Sequence, residues 1–153
     1  SSLRKNGIEK AKLLVFGAIS SHDDNELHFP VTYLGQITNE DELAQVYSAA
    51  DVTVVPSRAD NLPNVAVESL ACGTPVVAFD TGGLSDIVVH QSNGFLAHAE
   101  NPESMAQGIY WVLENAQRRV ALGLQARRAA EENFSLELQA RRYRSLYQSV
   151  LEN

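Results

Sequence analysis

Short apolar runs alternate with longer polar stretches along the chain, and the alternation predicts its elements. "KLLVFGA" (Lys12 to Ala18), "VTYLG" (Val31 to Gly35), "DVTVVPS" (Asp51 to Ser57), "PVVAFD" (Pro75 to Asp80) and "GFLAH" (Gly94 to His98) are too short for helices and read as strands. Gly17, Gly35 and Pro56 close the first three. The segments between them change to helical spacing. Leu43, Val46 and Tyr47 follow Asn39 and Glu42, which form a capping box with Asn in place of Ser or Thr. A helix of about 8 to 10 residues begins near Pro63 or Asn64. Gly73 supplies its left-handed end and Pro75 bars continuation. "TGGLSDIVV" reads as a glycine turn and a short helix. Asn101 and Pro102 read as an N-cap followed by proline at the first helical position. The remainder reads as helical to the end, with a break at "NFS" and a new cap at Ser135.

Strands alternating with helices predict an α/β fold, a Rossmann-like three-layer sandwich with a mostly parallel sheet and helices on both faces. Ligands of such sheets bind outside the carboxyl ends of the strands. That rule puts Gly17, Gly35, Ser57 to Asn64 and Thr81 to Ser85 along one rim. The length of 153 residues predicts a single domain spanning 1–153. A net charge of −7 argues against a nucleic-acid partner and against unaided attachment to anionic lipid. The one cysteine, Cys72, sits at a helix end and allows no intramolecular disulfide, which fits a reducing cytoplasm. No apolar run approaches the roughly 20 residues that span a bilayer. "SSLRKNGIEKAK" lacks the apolar core of a signal peptide and reads as a start inside a longer protein.

Within the rim, Asp60 and Glu68 flank the start of the second helical segment. Helical side chains lean toward the amino end, so Glu68, about one turn in, is aimed at the rim. Between the two acids lie the amides of Asn64, Val65 and Ala66, a first turn suited to phosphate. A carboxylate matches a pair of sugar hydroxyls. The combination suggests a ligand that is both sugar and phosphate. Chemistry alone leaves the other reading open, in which both acids are ordinary helix-terminal charges.

"DNLPNVAVESLACGTPVVA" resembles the signature of the retaining glycosyltransferases of family four (glycosyl transferases group 1), which have the GT-B fold. That signature has two glutamates separated by seven residues; Glu68 matches the second, and Asp60 stands in place of the first. "VPS", "TGGLSDIV" and "SNGFLA" resemble further family motifs, with Asp86 where glutamate is usual. The resemblance runs from about Leu13 to Tyr147. It implies the C-terminal domain, which binds a nucleotide-diphosphate sugar such as a UDP- or GDP-sugar. It places Glu68 on the ribose hydroxyls, Asp60 near the transferred sugar as the catalytic residue, and the amides of Asn64 and Val65 on the diphosphate. It also places Gly35 and Gln36 near the base and adds Asn61, Leu62 and Arg58 to the donor side. For Arg58, a solvated loop position is the alternative. Transfer of a hexose-type sugar to a glycan or lipid, with retention and without metal or other cofactor, is the implied reaction.

Two departures qualify the expectation. The family's opening strand, with its diphosphate-gripping arginine and lysine, precedes the first residues here, and Arg4 and Lys5 are not assigned that role. That strand is usually central, and a strand edge left unpaired invites self-association. The N-terminal acceptor domain is the other implied partner, and the final helix, with Leu138, Tyr143, Leu146 and Tyr147, is a candidate to pack on it. The isolated chain is therefore expected to be inactive, with the full protein cytoplasmic or peripheral at a membrane. A non-catalytic nucleotide-sugar-binding or interaction module and part of a GT-B nucleotide-sugar epimerase are the alternatives. His22, His28, His90 and His98 lack metal-ligand spacing.

Overall fold

A computed structural model describes residues 8, 10–17, 29–59 and 61–152. Its strands are β1 (Leu13–Phe16), β2 (Val31–Gly35), β3 (Thr53–Val55), β4 (Val76–Phe79) and β5 (Gly94–Ala97). Its helices are α1 (Glu40–Ala49), α2 (Asn64–Ala71), α3 (Leu84–Ile87), α4 (Pro102–Leu113), α5 (Ala116–Asn133) and α6 (Leu136–Leu151). The strand–helix alternation read from the sequence is present, and every strand pair is parallel.

The expected single sheet is instead two ladders, β1–β2 and β3–β4–β5. Among the described residues β1 and β3 do not pair, and each keeps a half-exposed apolar residue, Leu14 at 36% and Val54 at 38%. Packing through α1 joins the smaller ladder to the rest. The Phe16 ring meets the Tyr47 ring edge-on, with centroids 5.6 Å apart. The polar groups Thr53, Ser69 and Thr74 bond across the junction of α1, α2 and β4: the Thr74 hydroxyl donates to the Tyr47 carbonyl at 2.7 Å, and that of Ser69 to Thr53 Oγ1 at 2.8 Å.

β4 is buried along its whole length, and its side chains alternate between two cores. Val76 and Ala78 pack with Ala66 and Leu70 of α2 and Ala126 of α5. Val77 and Phe79 pack with Met105 and Val112 of α4 and Leu122 of α5. Each fully buried valine or leucine stabilises the fold by about 1.5–3 kcal/mol. Gly108 lets α4 sit directly on the strands, because a Cβ there would lie 2.5 Å from Phe95 and 2.9 Å from Val77.

Helix ends follow the expected chemistry. Asn39, Asn101 and Ser135 accept from the amides of Glu42, Ser104 and Leu138 at 3.0, 2.9 and 3.3 Å. Gly73 has φ +76°, and the bonds Gly73 N–H to Leu70 and Thr74 N–H to Ser69 close α2 in a Schellman motif. One break was not anticipated. Asn115 ends the α4 register and caps α5 by accepting from Arg118 N–H at 2.9 Å, so the C-terminal run holds three helices rather than two. The asparagine offers the backbone a local partner that competes with helix continuation. α6 buries none of its residues, and Tyr143, Leu146, Tyr147 and Val150 form an exposed apolar stripe. No described helix is long and apolar enough to cross a membrane.

Candidate functional site

The carboxyl ends of β3 and β4 open into two loops that are stitched together. The Thr81 hydroxyl donates to the Ser57 carbonyl at 3.2 Å. Gly83 is buried against the Asn61 backbone, where an added Cβ would fall 1.7 Å from the carbonyl oxygen. Gly82, with φ +53°, makes the turn. Of the two roles open to this glycine pair, close approach to a phosphate or shaping of a turn, the structure shows the turn and a tight backbone contact with the neighbouring loop. Asn61 and Leu62 are exposed at the mouth of that contact, and Pro63 behind them is buried.

α2 starts at Asn64 with Pro63 as its N-cap and no side-chain cap. The Ala66 amide donates to the Pro63 carbonyl at 3.0 Å, so it is not one of the open donors expected from the sequence. The Asn64 and Val65 amides have no acceptor among the described residues. The proline has no side-chain oxygen to turn back on them, and the macrodipole of α2 makes this end positive.

Glu68, one turn further, is half-buried and does point toward a partner. Its Oε2 accepts from the Tyr47 hydroxyl at 2.9 Å, and its Oε1 has no partner among the described residues. Tyr47 is 2% exposed. Burial first, and then the bond to Glu68, pushes its hydroxyl well above the ordinary tyrosine range, so it donates as a neutral phenol. Tyr47 is the functional candidate that the hydrophobic pattern conceals. It was legible only as an apolar position of a helix, although a buried tyrosine hydroxyl normally finds a partner.

The remaining candidates are placed as follows. Gly35 ends β2 with φ +67°, and its carbonyl accepts from Gly17 N–H at 2.7 Å; Gln36 beyond it is exposed. Arg58 is exposed on the rim and turned toward Glu100, 4.0 Å away, a pairing weak enough to release. Asp60 lies outside the described residues, as do Arg4, Lys5, His22 and His28. Nδ1 of His90 accepts from Leu96 N–H at 3.1 Å. No group of His, Cys, Asp and Glu suited to a metal occurs among the described residues. A shallow groove of about 460 Å³ lies at the opposite end of the β3–β5 ladder, lined by Asp51, Gly73, Pro75, Arg119 and Gly123. It faces the amino ends of the strands, and its Arg119 is already paired with Asp51 at 3.2 Å.

Comparison with known proteins identifies the family. The glycosyl transferases group 1 family matches residues 1–129. An uncharacterized glycosyltransferase of Methanocaldococcus jannaschii is 33% identical over 149 residues, covering 93% of this chain and 38% of that protein. Sucrose-phosphate synthase from Thermosynechococcus elongatus superposes with a TM-score of 0.83 at 28% identity, covering 99% of this chain and 41% of that one. Anabaena HepE, solved in complex with UDP-glucose, superposes with a TM-score of 0.72 at 26% identity, covering 81% of this chain and 34% of that one. The chain thus spans well under half the length of each of these proteins.

Proposed function

The chain belongs to the glycosyl transferases group 1 family, and from that premise we propose that it is the C-terminal, donor-binding domain of a retaining family-four glycosyltransferase. The donor is a nucleoside diphosphate sugar, with a hexose as the transferred group and a glycan or lipid as acceptor. The Asn64 and Val65 amides receive the diphosphate, the Oε1 of Glu68 receives the ribose hydroxyls, and Gly35 with Gln36 borders the base. Arg58, Asn61 and Leu62 form the outer wall, and Asp60 serves the transferred sugar.

The observation that carries this reading is the amino end of α2, with no side-chain cap and two amides lacking acceptors among the described residues, and a half-buried carboxylate one turn along. The binding of UDP-glucose by HepE supports the choice of ligand class. As the sugar–phosphate bond breaks, negative charge grows on the leaving diphosphate. Donors fixed in advance at the helix end stabilise that charge without reorganising. No metal or other cofactor is required for this role. The acceptor is held by a separate domain, with the exposed stripe of α6 as the docking face, so the chain by itself binds donor and does not turn it over. The full protein works in the cytoplasm, attached to the membrane surface where its acceptor is a lipid.

Calorimetric titration tests the binding step. UDP or GDP is expected to bind the chain, and Glu68→Ala to weaken it by about 10- to 150-fold, the worth of hydrogen bonds to a charged group. Equal affinity for the variant and the parent overturns the ribose role. Sustained transfer from UDP-glucose or GDP-mannose by the pure chain overturns its expected silence.

A further inference from the structure

We infer that Tyr47 is a positioning residue for donor recognition, holding the Glu68 carboxylate so that one oxygen stays fixed and the other faces the ligand. This rests on the ribose role proposed for Glu68. A glutamate side chain has three rotatable bonds, and half-buried at a rim it would otherwise sample several rotamers. The Tyr47 hydroxyl removes that freedom by donating to Oε2 at 2.9 Å.

Tyr47 is itself immobilised from three sides. Its ring is 2% exposed and stands edge-on to Phe16 at the end of β1. Its carbonyl accepts from the buried Thr74 hydroxyl at 2.7 Å, at the entry to β4. The hydroxyl stays protonated, since both its burial and the carboxylate disfavour ionisation. Tyr47 also connects the two ladders. It touches Phe16 of the smaller one, next to the rim glycine Gly17, and Glu68 of α2, which packs on the larger. Through it, the carboxylate is aligned with the strands that border the base.

Packing and positioning predict different outcomes, and ligand discrimination separates them. The test measures affinity for UDP and for 2′,3′-dideoxy-UDP, with the GDP pair alongside, for the parent chain, Glu68→Gln, Tyr47→Phe and the double variant. The parent is expected to favour the ribonucleotide by about tenfold or more, and Glu68→Gln to lose most of that preference. Tyr47→Phe is expected to lose at least half of it on a logarithmic scale while binding the dideoxy ligand as the parent does. In the double variant Tyr47→Phe adds nothing further. A folded Tyr47→Phe that keeps the full preference overturns the positioning role and leaves the ribose role standing. A parent without preference, or a Glu68→Gln that retains it, overturns the ribose role, and the positioning role falls with it. Should Tyr47→Phe not fold, Phe16→Leu loosens the same ring while leaving the hydroxyl. A reduced preference is then expected, and an undiminished one overturns the inference.

Discussion

Replacing Gly83 by alanine is expected to damage stability and donor binding together, because one backbone contact serves both. An added Cβ would sit 1.7 Å from the Asn61 carbonyl oxygen and 2.8 Å from its carbon. Real Cβ contacts do not fall below 3.0 Å, so the oxygen must retreat by at least 1.3 Å. Gly83 cannot yield instead: it is buried, and it is the N-cap of α3. The obstruction is backbone, which no rotamer change relieves. Overpacking of this kind costs about 1–3 kcal/mol. For a domain of this length each kcal/mol lowers the melting temperature by about 2–4 °C, so a fall of about 2–12 °C is expected. Asn61 is two residues from Pro63, the N-cap of α2, so its retreat drags the Asn64 and Val65 amides out of line. Loss of one hydrogen bond to a charged phosphate weakens UDP by about 10- to 150-fold. Scanning calorimetry and titration of the same preparation check both numbers. A variant that melts within about 1 °C of the parent and binds UDP equally well refutes the claim that this contact shapes the helix end.

Two further perturbations probe the stability of the fold. Asn93 is 1% exposed, accepting from Val89 N–H at 2.8 Å and donating to the Ile87 carbonyl at 3.1 Å. Asn93→Ala strands both groups and is expected to cost about 2–4 kcal/mol, read as a lower urea midpoint at unchanged slope; an unmoved midpoint contradicts it. The Arg118 guanidinium, and after it the Tyr110 hydroxyl, hold the Glu114 carboxyl below the usual carboxylate range. Below the ordinary value of 4.5 the unfolded chain takes up this proton before the folded one does, so the stabilisation is present above that pH and lost as pH falls through the lowered value. The melting-temperature gap between the parent and Glu114→Gln is expected to narrow from pH 6 toward pH 3, and a gap constant across that range contradicts the assignment.

Much of this architecture is legible in the sequence because local chemistry and tertiary packing agree. The runs at β4 and β5, the caps at Asn39, Asn101 and Ser135 and the Gly73 stop each follow from a residue whose backbone preference suits its place. The misses have physical reasons. Asn115 sits in a stretch of otherwise helical pattern, and a cap is hard to tell from a tolerated polar residue when no proline or glycine accompanies it. The split between β1 and β3 is a matter of which strands become neighbours, which periodicity does not encode. Tyr47 occupies an apolar helix position, and its second role depends on a carboxylate 21 residues away. The Ala66 amide looked open because a first helical turn leaves its donors free, yet the tight turn at Pro63 satisfies it locally.

Amide chemical-shift mapping of the labelled chain titrated with UDP puts the helix end itself to the test. The largest shifts are expected on Asn64, Val65 and their neighbours across the Gly83 contact, shrinking in Glu68→Ala. Shifts concentrated instead around Asp51, Arg119 and Gly123, in the groove at the far end of the strands, would contradict it.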